Sequence, residues 1–243
     1  MKKNIVVTGQ PRSGKSTLLH SIVQDVQLRV GFVTSEIREA GQRVGFVIET
    51  HLGHRVTLAH VGIESPCRVS RYGVAVAALE SVIPEVSVFG KQPLLYLDEI
   101  GQMQLFSERF RRLVTQFLDS TNTCLFTLSC VYQDDFISGL KDRDDIILVE
   151  ITPESREDQR QLVTQLLRKI QKARLYVSEP HRFMRRGSQQ VELRSEHGTR
   201  QLNFEDGRDG GTWACSCDFY KRRGICSHTI ATLEFTRVAP SES

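Results

Sequence analysis

Short, mainly apolar runs alternate along the chain with stretches whose apolar residues recur every three or four positions. Asn4 to Thr8, Pro93 to Leu97, Thr123 to Leu128 and Asp145 to Ile151 are of the first kind and predict buried parallel strands. Lys15 to Val26, Ser107 to Leu118 and Arg156 to Lys172 are of the second kind and predict helices; the last carries Leu162, Gln165, Leu166, Lys169 and Ile170 at helical spacing. Strands alternating with helices give an α/β class with a mainly parallel central sheet. Between Phe32 and Leu58 the pattern changes. β-Branched residues flank Ala40-Gly41-Gln42, which predicts an inserted hairpin.

Beyond Lys172 the helical pattern stops at Ser178-Glu179-Pro180, and short strand-like runs follow at Gln190 to Arg194 and Thr199 to Phe204. The expected organisation is therefore a first domain over 1–175 and a small module over 176–243, with Pro240 to Ser243 as a frayed end.

Composition narrows the class. With 40% hydrophobic and 25% charged residues among 243, neither a mostly disordered nor a fibrous chain is compatible. Apolar stretches such as Val74 to Leu79 are far below the ~18 residues needed for a bilayer span. Met1-Lys2-Lys3 runs directly into Ile5-Val6-Val7, without the apolar core of a secretory leader, so a cytoplasmic protein is expected. The net charge of +3 is too small to argue for nucleic acid by itself.

Gly9, Gln10, Pro11, Arg12, Ser13, Gly14, Lys15 and Ser16 match GxxxxGK[ST], between an apolar strand and an amphipathic helix. Such a loop turns its N–H groups onto phosphate oxygens at a helix N-terminus, with Lys15 reaching the β- and γ-phosphates and the Ser16 hydroxyl on Mg²⁺. The run Pro93 to Leu97 leads into Asp98-Glu99. Asp98 is the metal-side carboxylate, and Glu99 is the group to polarise a water for attack on a γ-phosphate. A glutamate directly after that aspartate points to P-loop folds with another strand between the two motif strands, here Thr123 to Leu128. Ser129 at its end is a γ-phosphate sensor or an ordinary capping serine.

Further motifs are more specific: Gly31-Phe32-Val33-Thr34-Ser35-Glu36-Ile37-Arg38, Gly41-Gln42-Arg43-Val44-Gly45-Phe46, Arg71-Tyr72-Gly73-Val74, and Asp98-Glu99-Ile100-Gly101-Gln102-Met103-Gln104-Leu105. Together they resemble the small thermophile-type nucleoside triphosphatases over about residues 2 to 172. The resemblance implies a RecA-like P-loop sandwich and Mg²⁺-dependent hydrolysis of nucleoside triphosphates. It further implies phosphate binding by Gly9 to Thr17, with Asp98-Glu99 supplying metal binding and water activation. Arg38, Arg43 and Arg71 lie in these motifs and are the candidates for neutralising transition-state charge. The chain departs from the family at Gln102 and Gln104, where Lys and Glu are common, and at Ser155-Arg156-Glu157, where Asn-Arg-Asp is common. These departures bear on rate and base specificity.

Of six cysteines, Cys67, Cys124 and Cys130 are scattered and read as free thiols, while Cys215, Cys217 and Cys226 crowd beside His228. Three thiolates and an imidazole suit a closed tetrahedral Zn²⁺ site. The spacing CxCx(8)CxH resembles the SWIM-type zinc finger over about residues 188 to 236, implying a small ββα-like zinc module that docks a protein or nucleic-acid partner. The loop between the ligand pairs carries Lys221-Arg222-Arg223 next to Phe219 and Tyr220, a basic and aromatic cluster. The leading function is thus a nucleoside triphosphatase whose zinc module places it on a partner. A slow nucleotide-gated switch and a small-molecule kinase are the competing readings.

Overall fold

The computed structural model describes residues 1–91, 93–206 and 211–238. The expected frayed end, Pro240 to Ser243, lies outside them. Two compact units divide the chain, residues 3–163 and residues 164 onward with Met1 and Lys2.

The first unit opens with β1 (Asn4–Gly9), α1 (Lys15–Gln24), β2 (Arg29–Glu39), β3 (Gln42–Thr50), β4 (Arg55–His60), β5 (Arg68–Val69) and β6 (Tyr72–Val74). It continues through α2 (Val76–Val86), β7 (Leu94–Ile100), α3 (Gln102–Leu105), α4 (Glu108–Asp119), β8 (Cys124–Ser129), α5 (Asp135–Lys141) and β9 (Ile146–Glu150) into the start of α6 (Arg156–Val177), whose residues from 164 onward belong to the second unit. Among the described residues these strands form one nine-stranded sheet in the order β5-β6-β4-β3-β2-β7-β8-β1-β9. The half β2-β7-β8-β1-β9 is parallel. Four of its five strands, β7, β8, β1 and β9, are the expected apolar runs, and Ile5, Val7, Leu95, Leu97, Leu125 and Phe126 are fully buried. The expectation of a buried strand is corrected for β9, which lies at the sheet edge and leaves Leu148 exposed. β8 lies between the motif strands β1 and β7, as expected.

The antiparallel half grows from the hairpin β2–β3, whose residues Glu39 and Gln42 pair across Ala40 and Gly41. Ala40 and Gly41 have φ of 48° and 79°, the two positive values that a tight two-residue hairpin turn requires. Helix α4 shows why its segment is helical: Phe110, Leu113, Val114, Phe117 and Leu118 form one buried stripe. Ser107 caps its first turn by accepting from the Phe110 N–H at 3.1 Å. Phe32 meets Phe110, and Phe117 meets Phe126, at ring separations of 5.9 and 6.3 Å. Fully burying each such ring contributes roughly 1.5–3 kcal/mol.

In the second unit a 3-10 turn (Pro180–Arg182) precedes β10 (Phe183–Arg185), β11 (Gln190–Ser195), β12 (Gly198–Glu205), β13 (Thr212–Cys215), α7 (Asp218–Arg223) and α8 (Ser227–Val238). The strands form an antiparallel sheet in the order β10-β11-β12-β13. The expected ββα-like module is thus larger, with four described strands and two short helices after α6. The expected loop at Lys221-Arg222-Arg223 is also corrected. It is the last turn of α7, closed by Gly224 at φ 66°. Val191, Leu193, Leu202, Ile230 and Ala231 are buried here, and Phe183 stacks on Phe235 at 4.3 Å.

Candidate functional site

β1 ends at Gly9 and α1 begins at Lys15, so the phosphate-loop motif spans the turn between them. Ser13 N–H closes this turn on the Gln10 carbonyl at 3.1 Å. Gly14 adopts φ 100°, a backbone conformation that favours glycine, and a Cβ there would lie 2.4 Å from Arg156 Nε and have to displace that side chain. Arg156, at the start of α6, donates through the same nitrogen to the Ser13 carbonyl at 3.3 Å. Lys15 is buried, its ammonium folded onto the carbonyls of Gly9 and Gln10 at 2.9 and 3.2 Å.

Asp98 and Glu99 lie within β7, adjacent to β8. Asp98 is fully buried, and its Oδ1 accepts from Ser16 at 3.0 Å and from Thr127 at 2.5 Å. The hydroxyl of Thr34 donates to its main-chain carbonyl. Oδ2 has no hydrogen-bond partner among the described residues. Burial raises the Asp98 carboxyl above its ordinary value despite the two hydroxyls. A buried carboxylate oxygen left over beside a serine hydroxyl is a hard-oxygen donor set of the kind Mg²⁺ takes. Burial likewise raises Glu99, while the nearby Lys15 charge opposes the shift and Asp98 adds to it. Around Gly101, a Cβ would meet Ser129 Cβ, Gln104 Oε1 and Glu99 Cδ at 3.5, 3.7 and 3.8 Å, so these three side chains border one small space.

Arg38, Arg43 and Arg71 come together with Arg12 of the phosphate loop, lining a cleft of about 340 Å³ with Gly41 and Gln42. Arg43 donates to Glu36 at 2.9 Å and to the Tyr72 hydroxyl at 3.1 Å, and its guanidinium lies 5.1 Å from the Phe46 ring centroid. Arg38 grips the other oxygen of Glu36 through two nitrogens, at 2.9 and 2.5 Å. Arg71 donates to the Arg43 carbonyl. Burial raises the Glu36 carboxyl, but the two arginines outweigh it and hold it below its ordinary value. Two of the four guanidinium groups that line the cleft thus share the one carboxylate of Glu36.

In the second unit one ligand atom each from Cys215, Cys217, Cys226 and His228 all lie within 4.8 Å of one another. His228 Nδ1 is 3.6 Å from Cys215 Sγ and 3.7 Å from Cys226 Sγ. A tetrahedral zinc shell has S···N edges of about 3.5 Å, so the donor set fits that ion in type and spacing. Tyr220 N–H donates to Cys217 Sγ at 3.5 Å and Thr229 N–H to Cys226 Sγ at 3.4 Å, dipoles that stabilise sulfur charge. A hydrogen bond from Cys226 lowers the Cys215 thiol, while the same pairing and burial push Cys226 up to about 11.

Sequence reasoning missed Thr127, Thr34, Glu36, Tyr72 and Arg156 as parts of these sites. Thr127 had a signal, as the one hydroxyl inside the apolar run Leu125-Phe126-Thr127-Leu128. The hold of Glu36 and Tyr72 on Arg43 depends on pairing across the inserted strands and left no local mark.

A protein family described simply as NTPase matches residues 4–167. A curated relative named nucleoside-triphosphatase THEP1, from Thermotoga sp. (strain RQ2), is 35% identical over 154 residues, covering 63% of this chain and 88% of that protein. The human protein named cancer-related nucleoside-triphosphatase is 32% identical over 174 residues, covering 64% of this chain and 92% of its own. The crystal structure of THEP1 from the hyperthermophile Aquifex aeolicus superposes with a TM-score of 0.58 at 30% identity, covering 68% of this chain and 98% of that one.

Proposed function

From the premise that the chain belongs to the NTPase family and is a nucleoside-triphosphatase, we propose that residues 1–175 hydrolyse nucleoside 5′-triphosphates to diphosphate and phosphate with Mg²⁺. The observation that carries this reading is the hydrogen bond of Ser16 to the buried Asp98, joining the phosphate-loop hydroxyl to the acidic strand across the fold. Ser16 and Asp98 would hold Mg²⁺, which supplies charge neutralisation at the β- and γ-phosphates.

The remaining work falls to the protein's own groups. Within Gly9 to Thr17, whose Pro11 has no N–H to give, the other main-chain N–H groups of the loop cradle the phosphates at the N-terminus of α1. Lys15 exchanges the carbonyls of Gly9 and Gln10 for phosphate oxygens. Glu99 accepts the proton of the attacking water, and burial, which raises its carboxyl above the ordinary value, increases its basicity. Arg38, Arg43 and Arg71 neutralise charge developing on the γ-phosphoryl group; their support is the cleft they share with Arg12.

For residues 176–243 the proposal is a SWIM-type zinc module held by Cys215, Cys217, Cys226 and His228, docking the enzyme on a protein or nucleic-acid partner. The working compartment is the cytoplasm, where such thiols stay reduced. Phosphate release from ATP, GTP, CTP and UTP, by wild type and Glu99→Gln and with Mg²⁺ present or chelated, tests the catalytic assignment. Wild-type turnover at the uncatalysed background, or turnover independent of Mg²⁺, would overturn it.

A further inference from the structure

Phe219 and Arg222 stand one turn apart on α7 and share a cavity of about 320 Å³ with Gln165, Arg168 and Lys169 of α6, all within the second unit. Arg168 and Arg222 are exposed, Lys169 and Phe219 half-buried. The Lys169 ammonium lies 4.9 Å from the Phe219 ring centroid. Arg222 Nε donates to the Asp218 carbonyl at 3.3 Å, which fixes its direction and leaves its terminal nitrogens available. Among the described residues none of these three cations forms an ion pair, and no carboxylate lines the cavity.

Three unneutralised cations around an aromatic ring and an amide call for a ligand that is anionic and flat. Carboxylates of an acidic protein would satisfy the cations but leave the ring and Gln165 unused. A duplex keeps its bases stacked inward, so no base is free to enter. A single strand offers phosphates at its backbone, unstacked bases with π faces, and base edges for an amide. Two sulfurs of the cysteine cluster, those of Cys217 and Cys226, receive N–H groups from Tyr220 and Thr229, whereas the Arg222 guanidinium is held on the Asp218 carbonyl.

We infer that this cavity binds single-stranded nucleic acid, one base lying against Phe219 beside Gln165 and the flanking phosphates meeting Arg168, Lys169 and Arg222. This narrows the docking role proposed above and rests on it. It also replaces Lys221 and Arg223 as the residues of interest with Arg168 and Lys169, which are remote from Arg222 in sequence.

The test is fluorescence anisotropy of a labelled oligo(dT) of about 15 nucleotides titrated with the full chain, alongside a duplex of equal length, free nucleoside monophosphate and polyglutamate as competitors. Three phosphate contacts on a single strand give a log-log salt slope of about −2, hence about 20-fold weaker binding between ~50 and ~200 mM salt. Arg168→Ala and Arg222→Ala should each remove about 0.7 from that slope. Phe219→Ala should weaken binding about tenfold and Phe219→Trp should restore it, a rescue that a merely structural ring would not give. Zinc content and thermal transition of each variant report whether the unit is folded. Undetectable binding at the lowest salt, or affinity unchanged in the Arg168→Ala/Arg222→Ala variant, would overturn the inference. So would tighter binding of duplex, equal competition by the monophosphate, or displacement by polyglutamate at equal charge. Zinc-loaded, folded protein without oligonucleotide binding would sink this inference while leaving the docking reading in place for a protein partner.

Discussion

Arg156 Nε donates to the carbonyl of Ser13 at 3.3 Å, so the first residue of α6 braces the turn that carries the phosphate motif. The same nitrogen occupies the space a side chain at position 14 would need. Gly14→Ala therefore meets both a displaced Arg156 and an alanine at φ 100°. Its expected outcome is a loss of about 1–3 kcal/mol in stability and of nucleotide affinity. Arg156→Ala removes one hydrogen bond and should cost only about 1 kcal/mol. Urea unfolding and nucleotide titration of the two variants check the contrast, and equal effects would contradict it.

Glu99→Gln keeps the side-chain shape but cannot accept a proton. Turnover should fall by about 10²-fold or more, as expected for loss of a general base, with nucleotide affinity nearly unchanged. Steady-state phosphate release paired with equilibrium nucleotide binding separates the two. A parallel fall in affinity would assign Glu99 to binding instead.

Asp98→Asn retains a carbonyl oxygen for Ser16 and Thr127 but removes the charge facing the metal. Half-maximal activity should then need at least about tenfold more Mg²⁺, and chelation should abolish turnover in the wild type. An unchanged Mg²⁺ dependence in Asp98→Asn would place the ion elsewhere.

Chelating zinc, or the double change Cys217→Ser/Cys226→Ser, should unfold the second unit and spare the first. Limited proteolysis would then leave a protected fragment beginning near the N-terminus while residues after about 175 are digested. Stoichiometric zinc in the folded double variant would refute the ligand set.

Asp145 ties the start of β1, its carbonyl accepting from the N–H groups of Lys3 and Asn4, each at 3.1 Å. Burial alone would raise its carboxyl, but two hydrogen bonds from Arg143, at 2.9 and 3.0 Å, hold it below its ordinary value. A carboxyl depressed in the folded state stabilises above its unfolded value of about 4, and that stabilisation disappears as pH falls through the lower folded value. The urea midpoint of Asp145→Asn should therefore lie below wild type at neutral pH, with the gap closing below about pH 4. A gap independent of pH would show that the charge is not what Arg143 stabilises.

Much of this was legible along the chain. The apolar runs at Asn4 to Thr8 and Thr123 to Leu128 declared themselves because strands buried on both faces need no polar positions. Gly9 to Ser16 and Asp98-Glu99 were equally plain, since a phosphate loop and its acidic strand have fixed local chemistry. Helix α2 was not, because Pro84 inside it reads as a breaker. The four-stranded sheet of the second unit was only half visible, since Phe183-Met184-Arg185 is too short to show alternation. Nor does any local pattern announce that Arg12 shares a cleft with Arg71, or Arg168 a cavity with Arg222. Those meetings are made by strand pairing and helix packing.

The strand order has a consequence for how the protein emerges during synthesis. Residue 4 of β1 pairs with residues 124 and 146, so the strand that carries the phosphate loop is made well before the two strands that seat it. Until β8 and β9 leave the ribosome, Ile5, Val6 and Val7 have both edges open, an apolar template for pairing with a neighbouring nascent chain. A topology this rich in contacts between distant residues is of the kind that folds slowly for its size.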